Sequence, residues 1–561
     1  MLLQLLFLTL AAAQQPNRTE IKILYNKGGG CNEVGNITLC GNGTSWNSEI
    51  QRCSADADIC GNGTSWNSTM ERCSVDAGLC GNGTSWNSAN GMCSADVWVC
   101  YGTDSSTVRV KDINSGGPSS YPEQLTAVND TLYFRANNGI NGKELWKSDG
   151  TDGGTVMVKD INPYSLTAVG NTLYFTANNG INGIELWKSN GTGTVMVKDI
   201  NSGGPSSTPD ELTAVGNTLY FAADNGINGY ELWKSNGTGT VMVKDIYSGG
   251  SGSWPGGLTA VNDTLYFAAT DGINGRELWK SDGTDGGTVR VKDINSGGPS
   301  SSPEQLTAVN DTLYFRANNG INGKELWKSD GTVSGTVMVK DIHGGPLPSS
   351  SSPEQLTAVG NTLYFTVANR FEDGSELWKS DGTDSSTVRV KDINSGGGSY
   401  PFELTAVGNT LYFTDNGISG NELWKSDGVG VFKTVRVKDI HSGGPSSWPY
   451  SLTAVGNTLY FAATDGINGI ELWKSDGTDG GTVMVRDIYS GGPSSNPNYL
   501  SSNPNYLTAV GNTLYFRADD GINGTELWKS GTVRTELWKS DGTAASNTVS
   551  ATPIDCERAS G

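Results

Sequence analysis

Histidine is almost missing from this chain, with two residues, His343 and His441, in 561. A nucleophilic or general-base centre needs a distinctive side chain with a partner. These two sit at corresponding connector positions where other repeats carry Asn or Tyr, so both are expected to be solvated loop residues. Basic charge is scarce as well: 38 Lys and Arg against 58 Asp and Glu give a net charge of −20. That balance argues against nucleic acid and anionic membrane as partners and favours solubility or cation binding. After residue 13 no segment approaches the ~18 consecutive apolar residues of a membrane helix. Close Cys-x2–4-Cys pairs are absent, which removes the usual zinc arrangement.

The one apolar run, residues 2–13 (LLQLLFLTLAAA), is too short to span a bilayer and ends in an Ala-x-Ala site at Ala11–Ala13. It reads as a cleaved secretory signal, with a buried N-terminal strand as the alternative because no basic n-region precedes it, and sets the expected location as secreted, extracellular or cell surface. Eight of the nine cysteines, Cys31, Cys40, Cys53, Cys60, Cys73, Cys80, Cys93 and Cys100, cluster behind it. Their spacing alternates 13 and 7 residues from Cys40 onward, through three 20-residue units that each contain GNGTSWNS. Units with so little apolar content need covalent staples, so a disulfide framework is expected. Eight cysteines allow 105 pairings and the sequence does not choose among them, although sequential pairing from Cys31–Cys40 is the preferred arrangement. Cys556 is left over, as a free thiol or an intermolecular bridge.

Twelve Asn-x-Ser/Thr sequons fit the same address: Asn17, Asn36, Asn42, Asn62, Asn67, Asn82, Asn129, Asn190, Asn236, Asn262, Asn310 and Asn523. N-linked glycans are therefore expected.

The rest of the chain repeats one phrase, seen cleanly as LTAVGN-TLYFAADNGINGY-ELWKSNGTG-TVMVKDI over residues 212–246. Each part is short, rich in β-branched or aromatic residues and bounded by Gly, Asn or Asp, which predicts four strands joined by tight turns. Large side chains on both strand faces, as in Leu-Tyr-Phe and Glu-Leu-Trp, demand cover on both sides, and a propeller blade between two neighbours meets that demand. An orphan last strand, Val108–Ile113, precedes the first complete unit, and the final unit supplies its first three strands. The expected fold is all-β: a β-propeller of about nine four-stranded blades, its N-terminal strand closing the last blade, preceded by a small disulfide-rich repeat region. The expected divisions are a signal at 1–13, a Cys-rich arm at 14–103, the propeller at 104–548 and a tail at 549–561.

The strings ELWKSDGT and VMVKDI resemble the ELWxxDGT repeat of secreted and cell-surface bacterial proteins with propeller-like architecture. The match spans residues ~107–543 and implies a fold, but no single activity.

Candidate sites are few. The loop D-G-I-N-G-x-E gathers hard oxygen ligands at Asp271, Asn274 and Glu277, and again at Asp465, Asn468 and Glu471, as a candidate Ca²⁺ site whose alternative is a plain Asn/Gly turn. The repeated Glu residues from Glu144 to Glu526 are copies of one position, so they are read as acceptors for nearby donors and not as catalytic pairs. Trp254 and Trp448, in SxWP connectors, are either exposed stacking platforms or covers for blade edges.

From these readings the expected function is that of a secreted, glycosylated structural or adhesive protein and not an enzyme. It would self-assemble into filaments or surface appendages through the arm and the propeller surfaces, with other copies of itself or extracellular proteins and glycans as partners. A glycan- or calcium-dependent lectin-like module is the alternative, and an enzyme the weakest one.

Overall fold

In the computed structural model, described residues run from 106 to 531, apart from 117–118, 345–348, 370–373, 392, 394–398, 418–419, 429–433, 444–445, 490–501 and 503. Backbone is also described for short strands before and after that span. The chain divides into two compact units, 103–533 and a second made of 1–102 with 534–561.

The larger unit contains nine four-stranded antiparallel sheets. Blade 1 consists of Glu123–Val128, Thr131–Asn137, Lys143–Ser148 and Val156–Lys159, in that order from the axis outward. Blades 2 to 8 repeat the pattern. Blade 9 takes three strands from Asn505–Val510, Thr513–Asp519 and Thr525–Gly531, and its fourth is Val108–Lys111, far away in sequence. Trp528 pairs with Arg109 and Lys529 with Val108 in the closing register. The nine-bladed ring with an N-terminal closing strand is therefore as the repeat count predicts.

These residues form blades because both faces of each sheet fill. Between blades 1 and 2, Val128, Tyr133 and Leu145 of one sheet meet Leu173, Phe175, Ala177 and Trp187 of the next. Nine such clusters stand around the ring, with Val367 and Asp415 at the alanine position of blades 6 and 7. Both sheet faces are consumed, and the second-strand phenylalanines are fully buried. Where the Trp ring nitrogen reaches inward it donates to a backbone carbonyl, as Trp233 does to Ala223 at 3.1 Å. Burying on the order of 200 Å² per aromatic makes this a strongly stabilising contact, although the ring nitrogens of Trp146, Trp327, Trp424 and Trp528 are buried without an acceptor.

The innermost strands are joined by threonine. Thr213 Oγ1 donates to the Leu258 carbonyl of the next blade at 3.3 Å, and Thr259 to Leu306 likewise. Small side chains in LTAV leave room for this approach around the axis.

In the smaller unit each 20-residue repeat forms one two-stranded hairpin, with Trp46 opposite Cys53, Trp66 opposite Cys73 and Trp86 opposite Cys93. The side chains of all eight clustered cysteines, Cys556, and the sequons Asn17, Asn36, Asn42, Asn62, Asn67 and Asn82 lie outside the described residues.

Candidate functional site

Among the described residues two features recur from blade to blade at the ring end where chains enter the inner strands. One is the turn between second and third strands (GING), the other the connector arriving from the preceding blade. A buried carboxylate fastens the second. Glu231 Oε2 accepts from the Ile246 N–H at 3.0 Å and the Ser253 hydroxyl at 2.6 Å, while Oε1 accepts from the Ser253 N–H at 2.8 Å. Burial pushes the Glu231 carboxyl upward, with those donors opposing it. The repeated Glu is thus a structural clamp on the connector.

The clamp also fixes the neighbour of Ser253. Trp254, the next residue, is held with φ at 53°, its backbone N–H donating to the Tyr230 carbonyl at 3.1 Å. Its indole stacks on the Tyr230 ring, with centroids 4.7 Å apart and planes 20° from parallel. Thr208 Oγ1 contacts the Tyr230 hydroxyl, and Arg276 donates to the Trp254 carbonyl. Trp254 still leaves 56% of its surface to solvent. It is an exposed platform on a rigid base and not a cover for a blade edge.

Beside the platform lies a cavity of about 590 Å³, walled by Tyr164, Pro209, Tyr230, Trp254 and Pro255, with Asp210, Glu211 and Arg276 as its charged groups. Its volume falls within the range of roughly 300–1,000 Å³ typical of ligand sites. Two local sequence departures open it. Tyr230 is the only aromatic among the nine residues that precede Glu-Leu-Trp in the blades. In addition, blade 4 begins its inner strand with Gly256–Gly257, where a side chain at Gly256 would meet the Arg276 guanidinium at 2.7 Å. Glu211 Oε2 reaches across to accept from the Gly257 N–H at 3.0 Å and the Leu258 N–H at 3.3 Å. Burial lowers the Arg276 pKa, and Glu211 and Glu304 oppose that shift. Trp254 is legible in the sequence as a candidate platform, but Tyr230, Gly256 and Arg276 are not. Lining up the nine repeats against one another would have exposed all three as departures.

Trp448, the matching connector tryptophan of blade 8, is equally exposed at 56%. It rests over Asn421, whose carbonyl accepts its N–H at 3.2 Å, and so lacks an aromatic base.

The candidate cation ligands are placed apart. Asp271 Oδ1 accepts from the N–H groups of Ile273 at 2.9 Å and Asn274 at 2.8 Å, and Oδ2 from the Asn274 amide at 2.7 Å. Glu277 turns instead to the connector, accepting from Ile294 N–H at 2.9 Å and the Ser301 hydroxyl at 2.6 Å. Asp465 with Asn468, and Glu471 with Ile488 and Ser502, repeat this division. Among the described residues no group of three His, Cys, Asp or Glu side chains could hold a metal. Of the two histidines, His441 is half-buried, with its ring lying against Gly466 of the next blade, and His343 is half-buried in its connector. The described sequons Asn129, Asn190, Asn236, Asn262 and Asn310 are exposed at turns, and Asn523 is half-buried.

Two places break the ring's symmetry without forming an open site. The short connector after blade 1 has no serine for Glu144, which faces Asp160, and burial with that neighbour pushes Glu144 to about 7. In blade 7, Asp415 stands opposite Glu422, where the matching position in blade 1 is Ala136 opposite Glu144.

No protein-family model and no curated protein matches the chain. Among solved structures it is similar to a puromycin hydrolase, at 14% identity over 73% of this chain and 60% of that one, TM-score 0.35. It is also similar to a puromycin-hydrolyzing peptidase of Mycobacterium tuberculosis, at 13% over 64% and 58%, TM-score 0.34. A third is prolyl oligopeptidase B from Galerina marginata, at 9% over 58% and 51%, TM-score 0.33. The chain thus spans between 51% and 60% of the length of these three peptidases. That they are enzymes corrects the expectation of a non-enzymatic structural or adhesive protein. Neither filament assembly nor the exclusion of catalysis is carried further. Likeness at this level assigns no reaction, substrate or residue to this chain.

Proposed function

We propose that the propeller is a recognition module that binds an extended peptide segment in the cavity across blades 2 to 4. The observation that carries this reading is the stacked Tyr230–Trp254 pair beside Asp210 and Glu211, in a cavity made by departures from the repeat. A flat, rigid aromatic platform suits a proline ring or an aliphatic stem, as in grooves that receive extended Pro-containing segments. The carboxylates suit a Lys or Arg on the same segment, and the Arg276 guanidinium keeps the wall from being uniformly acidic.

Isothermal titration with a short synthetic peptide carrying adjacent proline and lysine tests this. Saturable binding that weakens at least about tenfold in Trp254→Ala supports it, and heat-free titration of the intact protein refutes it. Mass analysis of the recovered peptide reads cleavage in the same experiment.

The resemblance to ELWxxDGT-repeat proteins, secretion and N-glycosylation at the exposed Asn129, Asn190, Asn236, Asn262 and Asn310 belong to the same proposal. A mass loss on enzymatic deglycosylation of protein secreted from a eukaryotic host checks the last of these.

A further inference from the structure

Three blades carry an arginine at the fifth place of the second strand: Arg135 in blade 1, Arg316 in blade 5 and Arg517 in blade 9. The other blades have Ala or Thr there. Two of the three arginines receive a carboxylate from the residue that follows the connector proline of the next blade. Arg316 pairs with Glu354 at 3.0 Å, and Arg517 with Glu123 at 3.5 Å. Arg135 receives none. It pairs with Glu123 of its own blade, and blade 2 sets the Tyr164 ring at the corresponding place, its centroid 4.8 Å from the guanidinium carbon. A stacked ring covers the face of a guanidinium but leaves its in-plane N–H donors unserved.

The charge count shows the same gap. Arg135, Lys143 at 2.8 Å and Arg517 at 3.5 Å all converge on the Glu123 carboxylate. In blades 5 and 6 the matching pair, Arg316 and Lys324, has two carboxylates, Glu304 and Glu354. Burial raises the Glu123 pKa, but Lys143 and Arg135 outweigh it and hold the carboxyl below its ordinary value. In a chain with a net charge of −20 this is a local excess of positive charge. It also adjoins the cavity already described, because Tyr164 is part of that cavity's wall. The cavity is open where Thr176 and Ala222 line it at the arginine position in blades 2 and 3, so Arg135 stands where that row of small residues ends. The cavity's own guanidinium is engaged: Arg276 donates to the Trp254 carbonyl and lies in the field of Glu211 and Glu304.

We propose that the blade 1 end of the cavity takes a carboxylate of the bound peptide, its C-terminus or an acidic side chain, on Arg135 and Lys143. The inference rests on the peptide-binding reading of the cavity. The ligand carboxylate supplies to Arg135 what Glu354 supplies to Arg316, and a charge-assisted pair of this kind favours a carboxylate over a neutral amide. The site then reads a base beside Asp210 and an acid beside Arg135.

Titration calorimetry of the full-length protein with peptides that share one proline–lysine core tests this. The parent peptide is blocked at both ends; the others carry a free C-terminal carboxylate, or a glutamate before or after the core with both ends blocked. At least one acidic peptide is expected to bind at least about tenfold tighter than the parent, and the one that gains tells a C-terminus from a side chain. The gain is lost in the double variant Arg135→Thr, Lys143→Ile, while the parent peptide keeps its affinity. Blade 2 holds Thr176 and Ile184 at those places, so the ring accepts both residues. Equal binding of acidic and parent peptides by the wild type overturns the inference and leaves the peptide site standing. A gain that the double variant retains overturns it in favour of Arg276, and absence of binding by every peptide overturns the inference and the peptide site together.

Discussion

Thr508 Oγ1 donates to the carbonyl of Leu125 at 3.3 Å, across 383 residues of chain. The same bond joins Thr213 to Leu258 inside the ring, so the seam between blades 9 and 1 is built like every other junction. At that seam the N-terminal strand adds Val110 and Ile113 to a core shared by Tyr515 and Leu527 of blade 9 and by Leu132, Phe134 and Trp146 of blade 1.

Val110→Asp therefore opens the seam. It places an unpaired charge at a site 5% exposed, a change of about 3–5 kcal/mol. Thermal melting is expected to show a large loss for Val110→Asp and little for Val108→Asp, since Val108 is exposed. Equal effects would mean the strand does not close the ring.

Much of this was legible in the sequence. Period-2 strands, Asp-Gly turns and the orphan Val108–Ile113 strand set the blade count and its closure, because each is a local pattern repeated. What escaped was contact between blades. Glu231 gives no sign in sequence that its partners are Ile246 and Ser253, since the chain must fold back before they meet. The cavity escaped because its parts are single departures from a repeat, each innocuous alone.

The carboxylate clamp makes a second prediction. Glu231→Ala leaves two buried N–H groups and a hydroxyl unsatisfied, at about 1–3 kcal/mol for each donor. Hydrogen exchange is expected to quicken over residues 246–254, upstream of and under the Trp254 platform, while blade 8 is unchanged. Unchanged exchange at 246–254 would show that the clamp does not hold the connector.

Asp415 sets a pH dependence. Burial, with Glu376 adding to it and Ser399 opposing, pushes its carboxyl from the ordinary 3.8 to about 8. Between those values the folded state holds a proton that the unfolded chain has released. Its contribution is therefore full in acid, falls as pH rises through that window, and is level above it. Asp415→Ala, matching Ala136 of blade 1, is expected to raise the melting temperature more at pH 9 than at pH 5. A residual slope belongs to Glu144, Glu325 and Glu471, each pushed to about 7 by burial above all. A gain independent of pH would contradict the buried-acid account.

Gly283 tests the contact between blades at the opposite ring end. Its φ is 89°, and an added Cβ would lie 2.4 Å from the hydroxyl of Tyr220 in the preceding blade. Gly283→Ala is expected to destabilise by about 1–3 kcal/mol in chemical unfolding, through left-handed strain together with displacement of that ring. Gly286, with nothing near its Cβ position, is the tolerant control.

The most direct measurement compares peptide affinity in Trp254→Ala and Trp448→Ala by titration calorimetry. Both residues are 56% exposed at matching positions, but only Trp254 stacks on a tyrosine beside the cavity. Loss of at least about tenfold in the first variant and none in the second is the predicted result. Equal loss in both, or none in either, would contradict a single recognition site made by departure from the repeat.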